Sequence, residues 1–336
     1  MQATDKTWSG SGNNWGNGGL WSPTGIPGAG DDIYFDGTNE TPIRANGDRA
    51  ANSLNFTRTA SGYFRVGAGA SNQTLTLTSG NITRASTNTG GGAIVGDTSQ
   101  TGGGILTLAT GASGFTFTNE RGNADLEIQA IISGAGKTAT IDGASTGEVH
   151  YSGDQANTLT GLTTVLHAGT LVVRKTEGTT AINGDLSISG NFRLESSHQI
   201  VDSADITLVS GEFDAGTYSE TMGTLTQSGT SILNIGSGSL SFADSSAEVW
   251  SGTLQVYNWT EGLSGISFGD SSAALTASQL SMIELYSDDG SSLIGQASLD
   301  SFGNITSSAI PEASSFAALS GLLAASAVVL RRRRRS

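Results

Sequence analysis

The sequence contains no cysteine, which excludes disulfide staples, thiolate zinc sites, iron–sulfur clusters and cysteine nucleophiles. Stability must come from packing or repetition. Proline is scarce, with 4 residues in 336, too few for a proline-rich spacer. Charged residues make up 14% of the chain, against roughly 25% in ordinary soluble domains. The scarcest sign is positive, Lys+Arg 16 against Asp+Glu 30. Five of those basic residues are Arg331, Arg332, Arg333, Arg334 and Arg335; without them 11 basic residues face 30 acidic ones, a formal charge of −19. That field repels phosphate backbones and no basic stripe offsets it, so nucleic acid is not an expected partner. The first eight residues, MQATDKTW, offer neither a basic start nor an apolar stretch and so form no secretory signal.

What is abundant is glycine, 48 residues, without the Gly-X-Y period of collagen. Between the ends of the chain a short phrase recurs: an apolar/polar alternation, then or preceded by a glycine with Ser, Thr, Asn or Asp. It appears at Leu75 and Leu77, Leu106 and Leu108, Leu171 and Val173, Leu186 and Ile188, Ile206 and Leu208, Leu233 and Ile235, and Leu240 and Phe242. Each phrase reads as one short strand and a turn, placing the chain in the all-β class. Neighbouring phrases lie about 8 to 20 residues apart, a spacing shared by sandwiches, barrels and parallel β-helices. A sandwich would need two or three domains of ~100 residues with linkers between them, and no proline-rich or charged linker interrupts the body. A solenoid needs only that each coil cover its neighbour, with glycine at the tight corners. Roughly 8 to 10 coils then make a rod about 40 to 50 Å long at ~4.8 Å per strand.

The C-terminal end differs in kind. Residues 313–330, ASSFAALSGLLAASAVVL, carry no charge and would span about 27 Å as a helix, close to a hydrocarbon core of ~30 Å. The five arginines that follow fit a cytoplasmic stop, placing everything before them outside the inner membrane. Pro311, Glu312 and Ala313, the apolar run and the terminal arginine cluster together resemble the PEP-CTERM sorting signal of bacterial envelope proteins. Ala313 stands where that family usually has a second proline. The resemblance implies an exosortase-type sorting enzyme as partner, export, and a secretory signal preceding Met1 before trimming. Ala317, Gly321 and Ala325 form a small-xxx-small spacing within the run, which alanine-rich helices also generate by chance.

A second resemblance covers residues 157–184, NTLTGLTTVLHAGTLVVRKTEGTTAING. This run is similar to the autotransporter-associated β-strand repeat and implies a parallel β-helix of the passenger type. The expected architecture is a right-handed parallel β-helix with caps. The expected divisions are a Trp-rich cap over 1–39, β-helix repeats over 40–245, a closing module over 246–309 and the sorting anchor over 310–336. Trp8, Trp15 and Trp21 crowd the first cap, and Trp250 and Trp259 the closing module.

No reactive constellation emerges. The densest acidic groups, Asp31 with Asp32 and Asp36, and Asp288 with Asp289 before Gly290, read as cap and hairpin turns; the first could hold calcium weakly but lacks the EF-hand order of ligands. His150, His167 and His198 share no metal-ligand spacing, and His167 reads as a solvent-facing strand position. The triplets Gly90-Gly91-Gly92 and Gly102-Gly103-Gly104 lack the lysine of a phosphate loop and read as corners. Trp8, Trp15 and Trp21 are candidate glycan contacts, with cap packing the competing role. The sequence thus points to a non-enzymatic exported surface stalk, adhesin or matrix component. No catalytic residue, metal site or cofactor is expected, and the partners are the inner membrane, a sorting enzyme and a polysaccharide matrix. The competing expectation is a β-helical polysaccharide-active enzyme, lyase or hydrolase, or a carbohydrate-binding module.

Overall fold

The computed structural model describes residues 4–36, 42–58, 62–89, 91–96, 103–122, 124–144 and 146–309. The chain winds into a parallel β-solenoid of about 10 turns with almost no helix. Each turn contributes strands to up to three faces. One representative turn runs Thr138–Gly143 on the first sheet, Glu148–Tyr151 on the second and Thr158–Leu159 on the third, before the next turn begins at Thr163–Val165. The turns differ in length: the pairing of Ala139 with Thr163, Thr163 with Leu186, Leu186 with Ile206 and Ile206 with Leu225 gives repeats of 24, 23, 20 and 19 residues, and that of Val256 with Leu285 a repeat of 29.

The alternation seen in the sequence is what builds the core. On the first sheet Ile141, Val165, Ile188 and Leu208 pair in one inward column, and all are 0% exposed. The second sheet supplies Leu126, Val149, Leu171, Phe192, Phe213, Leu233, Val256 and Leu285 in a second column. Because one residue of each turn stacks on its counterpart, aromatic rings repeat at the strand spacing: Phe35 lies 4.9 Å from Phe56, and Phe192 lies 5.0 Å from Phe213.

Glycine holds the corners for a steric reason. A Cβ on Gly252, whose φ is +83°, would lie 1.9 Å from the carbonyl oxygen of Gly229 on the preceding turn, and one on Gly211 would lie 2.2 Å from that of Gly190. The backbones of successive corners touch, so no side chain fits between them.

Both described ends turn antiparallel. Lys6–Trp8 pairs with Trp21–Ser22 at one end, while Ile283–Tyr286, Leu293–Leu299 and Ile305–Ala309 form a meander at the other. This departure from the parallel stack ends the solenoid without presenting a further turn's seat. Parallel pairing itself reaches from Lys6 with Ile33 to Val256 with Leu285, beyond the limits of 40 and 245 expected for the repeats. The run Leu275 to Leu280 folds as the α-helix Ala277–Leu280, entered through a capping box in which Thr276 and Gln279 satisfy each other's backbone N–H groups. Gln279 Nε2 also donates to the carbonyls of Ser245 and Glu248 at 2.8 and 3.0 Å, tying this element to the last turns. Among the described residues no helix is long and apolar enough to cross a membrane. The sorting motif at Pro311, Glu312 and Ala313, the expected span over 313–330 and the arginine cluster lie outside the described residues.

Candidate functional site

On the outer side of the second sheet the residues between the core positions are strongly polar. In the strands Leu126–Ile128, Glu148–Tyr151, Asn191–Leu194 and Glu212–Gly216, the alternation that buries Leu126, Val149, Phe192 and Phe213 turns Glu127, Glu148, His150, Asn191, Arg193, Glu212 and Asp214 outward. The ladder then sets His150, Val172, Arg193, Asp214, Asn234 and Tyr257 in one column.

Arg193 organises this face. Its guanidinium meets Glu148 in a bidentate fork, Nη1 to Oε1 at 2.9 Å and Nη2 to Oε2 at 3.1 Å, and donates to Glu195 Oε1 at 3.1 Å. Glu148 lies two turns before Arg193, so the side chain crosses the intervening rung. Val172 on that rung points outward yet is 0% exposed, which this bridge accounts for. Arg174 extends the network, reaching Glu127 at 3.3 Å and Glu195 at 3.8 Å.

The pairing divides the carboxylates into two kinds. Burial alone would raise Glu127, but hydrogen bonds from Ser152 and Gln129 and the charge of Arg174 outweigh it and hold the group below its ordinary value. Glu148 is likewise held low, burial being overcome by Arg193 and His150. Glu212 and Asp214 behave oppositely. Burial raises Glu212, with a further push from Asp214, and burial raises Asp214 against the opposing Gly216 N–H and Arg193. These two border a recess of about 190 Å³ lined also by Glu148, Thr170, Asn191 and Arg193. A second recess of about 190 Å³ shares Asn191 and Glu212 with it and runs toward His167, Thr230 and Gln255. Toward the C-terminal end the face becomes an amide ladder. Asn258 Nδ2 donates to Asn234 Oδ1 at 2.8 Å and to Asp289 Oδ1 at 3.0 Å.

The candidates named from the sequence lie mostly elsewhere. Trp8, Trp15 and Trp21 are 1%, 0% and 2% exposed and meet edge to face, with centroids 4.8 and 5.1 Å apart. Their rings are turned inward against one another and Phe35, which corrects the glycan-contact expectation: no face is open to a sugar. Asp31 accepts from the backbone N–H groups of Thr4 and Gly28, and Asp32 from Asn52 and Ser53 of the next turn, so their oxygens serve turn and ladder. Asp288 caps the hairpin by accepting from the N–H groups of Ser291 and Ser292 at 2.9 Å. His167 is exposed but stands in a turn after Thr163–Val165 rather than on a strand, since the strand ends where the corner to Gly169 begins. His198, also exposed, has a left-handed φ of 57°.

One group escaped the sequence reading. Asp125, Glu148 and His150 gather so that a carboxylate oxygen or ring nitrogen from each lies within 4.8 Å of the others. The visible signal was only Glu148-Val149-His150, two polar residues on one face of a strand. Asp125 joins them through the register that pairs Leu126 with Val149. Compared with known proteins, the chain matches no protein-family model, no curated protein and no solved structure.

Proposed function

We propose that the chain is a non-enzymatic, exported cell-envelope or extracellular protein. In this reading it is a right-handed β-helical stalk, adhesin or matrix component sorted through the PEP-CTERM-like signal at Pro311, Glu312 and Ala313. The single observation that supports it best is the parallel stack of about 10 turns, closed at each described end by antiparallel strands. At ~4.8 Å per turn such a stack is a rod near 50 Å long, a spacer by shape. The right hand follows the steric preference of parallel crossovers. A polysaccharide matrix is the partner proposed for the hydroxyl column on the first sheet, where Thr116, Thr140, Thr164, Ser187, Thr207 and Thr226 pair in register. The apolar run over 313–330, closed by five arginines, supports attachment to the inner membrane with the body outside the cytoplasm. Removing residues 311–336 in the native host should move the protein from the membrane fraction to the soluble one; unchanged fractionation would contradict the anchor.

A second reading, glycan binding or cleavage, is favoured by one observation: Glu212 and Asp214, both raised, border the recess that contains Arg193. A carboxyl whose pKa is raised by burial is the kind of group that general-acid catalysis recruits. A turnover screen on acidic and neutral polysaccharides separates the two readings, since activity abolished by Glu212→Gln would overturn the stalk assignment.

A further inference from the structure

We propose that His150 and Asp125 form a binding site for a divalent transition cation of the zinc class, with Glu148 as the carboxylate that orients the imidazole. His150 is outward-facing in its strand yet only 3% exposed. Its Nε2 lies 2.8 Å from Glu148 Oε2. Glu148 already accepts the two-pronged fork of Arg193, and a carboxylate so engaged accepts from the imidazole as well, which makes Nε2 the donor. With Nε2 donating to Glu148, Nδ1 is the ring nitrogen left to serve as a ligand atom. That atom is buried, has no hydrogen-bond partner, and faces Asp125 Oδ2 at 3.7 Å.

A buried ring nitrogen and a part-exposed carboxylate oxygen therefore face each other without a hydrogen bond between them. The pairing of Leu126 with Val149 also sets Asp125 across the ladder from Glu148, and like charges directly opposite destabilise neighbouring strands. Either a proton or a metal ion between Nδ1 and Asp125 would resolve both conflicts, and the separation discriminates between them. A charge-assisted N–H···O contact spans about 2.7–2.9 Å, well short of 3.7 Å. Two metal bonds of ~2.0–2.2 Å, opened to about 110–125°, place their ligand atoms ~3.3–3.9 Å apart.

The donor set selects the class of ion. Calcium and magnesium favour all-oxygen sites, whereas an imidazole nitrogen beside a carboxylate suits zinc and its neighbours. Asp125 is 35% exposed in its side chain, which leaves an entry path and room for water to complete the coordination. The Arg193–Glu148–His150 chain supplies the outer support that fixes ring and tautomer in metal sites. Charge also favours a cation there: among the described residues the six carboxylates Asp125, Glu127, Glu148, Glu195, Glu212 and Asp214 outnumber Arg174 and Arg193 on this face and Arg84, whose charge reaches Asp125.

The test is calorimetric titration of the full chain with zinc chloride, read together with the ring-nitrogen resonances of His150. The expected result is one zinc per chain, a shift of Nδ1 with Nε2 remaining protonated, loss of binding in His150→Gln and at least a tenfold loss in Asp125→Asn. Glu148→Gln should weaken binding about 10–100-fold, and His167→Gln should leave it unchanged. Circular dichroism of the metal-free variants checks folding, and Asp125→Asn, which changes a part-exposed group, carries the test if His150→Gln does not fold. Undiminished binding in Asp125→Asn, coordination through Nε2, or no zinc binding by the unaltered chain would each overturn the proposal.

Discussion

The first and second sheets share one core and one strand spacing, yet their outer faces differ in chemistry. Outward on the first sheet stands a column of hydroxyls, Thr116, Thr140, Thr164, Ser187, Thr207 and Thr226. The corresponding side of the second carries Glu127, His150, Arg193 and Asp214, linked by Arg193 and Arg174 across several turns. A hydroxyl can satisfy itself locally or with water wherever it falls, so the first face tolerates any register. Charges cannot. The second face works only if residues 45 positions apart, such as Glu148 and Arg193, arrive within hydrogen-bond distance. The register is therefore demanded by the charged face and merely permitted by the hydroxyl face.

The comparison can be broken first at what both faces rest on. Phe213 is 0% exposed and stacks edge to face on Phe192; Phe213→Ala should cost about 3–5 kcal/mol in chemical denaturation. A loss below ~1 kcal/mol would mean that the second sheet's inward column is not packed into the core beneath both faces.

The next largest effect lies on the short parallel sheet of Ser219–Thr221, Ser239–Phe242 and Gly265–Phe268 and depends on pH. Glu220 is 2% exposed, accepts from the N–H groups of Gln199 and Ile200, and is pushed up by burial to about 7 from an ordinary 4.5. The folded state then binds more protons than the unfolded one between about pH 4.5 and 7. Its contribution to stability is full below 4.5 and is lost as pH rises through about 7. The difference in unfolding free energy between the unaltered chain and Glu220→Gln should change by roughly 3 kcal/mol across that window. A pH-independent difference would refute the assignment.

Smaller effects separate the faces directly. Arg193→Met keeps the aliphatic stem over Val172 but removes the fork to Glu148. Because the guanidinium is about a third exposed, the expected loss is about 1 kcal/mol, diminishing in 1 M salt where screening acts over ~3 Å. Thr164→Val on the hydroxyl face should shift stability by no more than ~0.5 kcal/mol at any salt concentration. Equal salt dependence of the two variants would erase the distinction between the faces.

The sequence carried the all-β class and the stacking because both are local. Leu186 with Ile188 and Ile206 with Leu208 alternate with polar residues over three positions, and glycine marks the corners between such phrases; inspection of one turn suffices to place them inside or outside. The charged network was not legible because its geometry depends on the length of every corner between its members. With repeats that vary between 19 and 29 residues over the later turns, no fixed spacing could bring Asp125 to His150 or Glu148 to Arg193. The tryptophans illustrate the opposite difficulty. Their crowding at the N-terminal end was visible, but whether the rings face a ligand or one another depends on the strand Trp21–Ser22 folding back antiparallel on Lys6–Trp8, a reversal that composition does not encode.

Since the chain has no cysteine, a pair introduced by substitution reports on its own pairing alone. The most direct measurement of the stacked register is oxidation of the double variant Thr164→Cys with Ser187→Cys, residues that pair on adjacent turns. Their Cα atoms stand about 4.8 Å apart at the strand spacing, inside the range a disulfide bridges. Thr164→Cys with Thr207→Cys, one turn further, should remain reduced at roughly 9–10 Å. An intramolecular disulfide in the first variant and free thiols in the second is the predicted result; bridging in the second, or in neither, would contradict the solenoid register that the charged face demands.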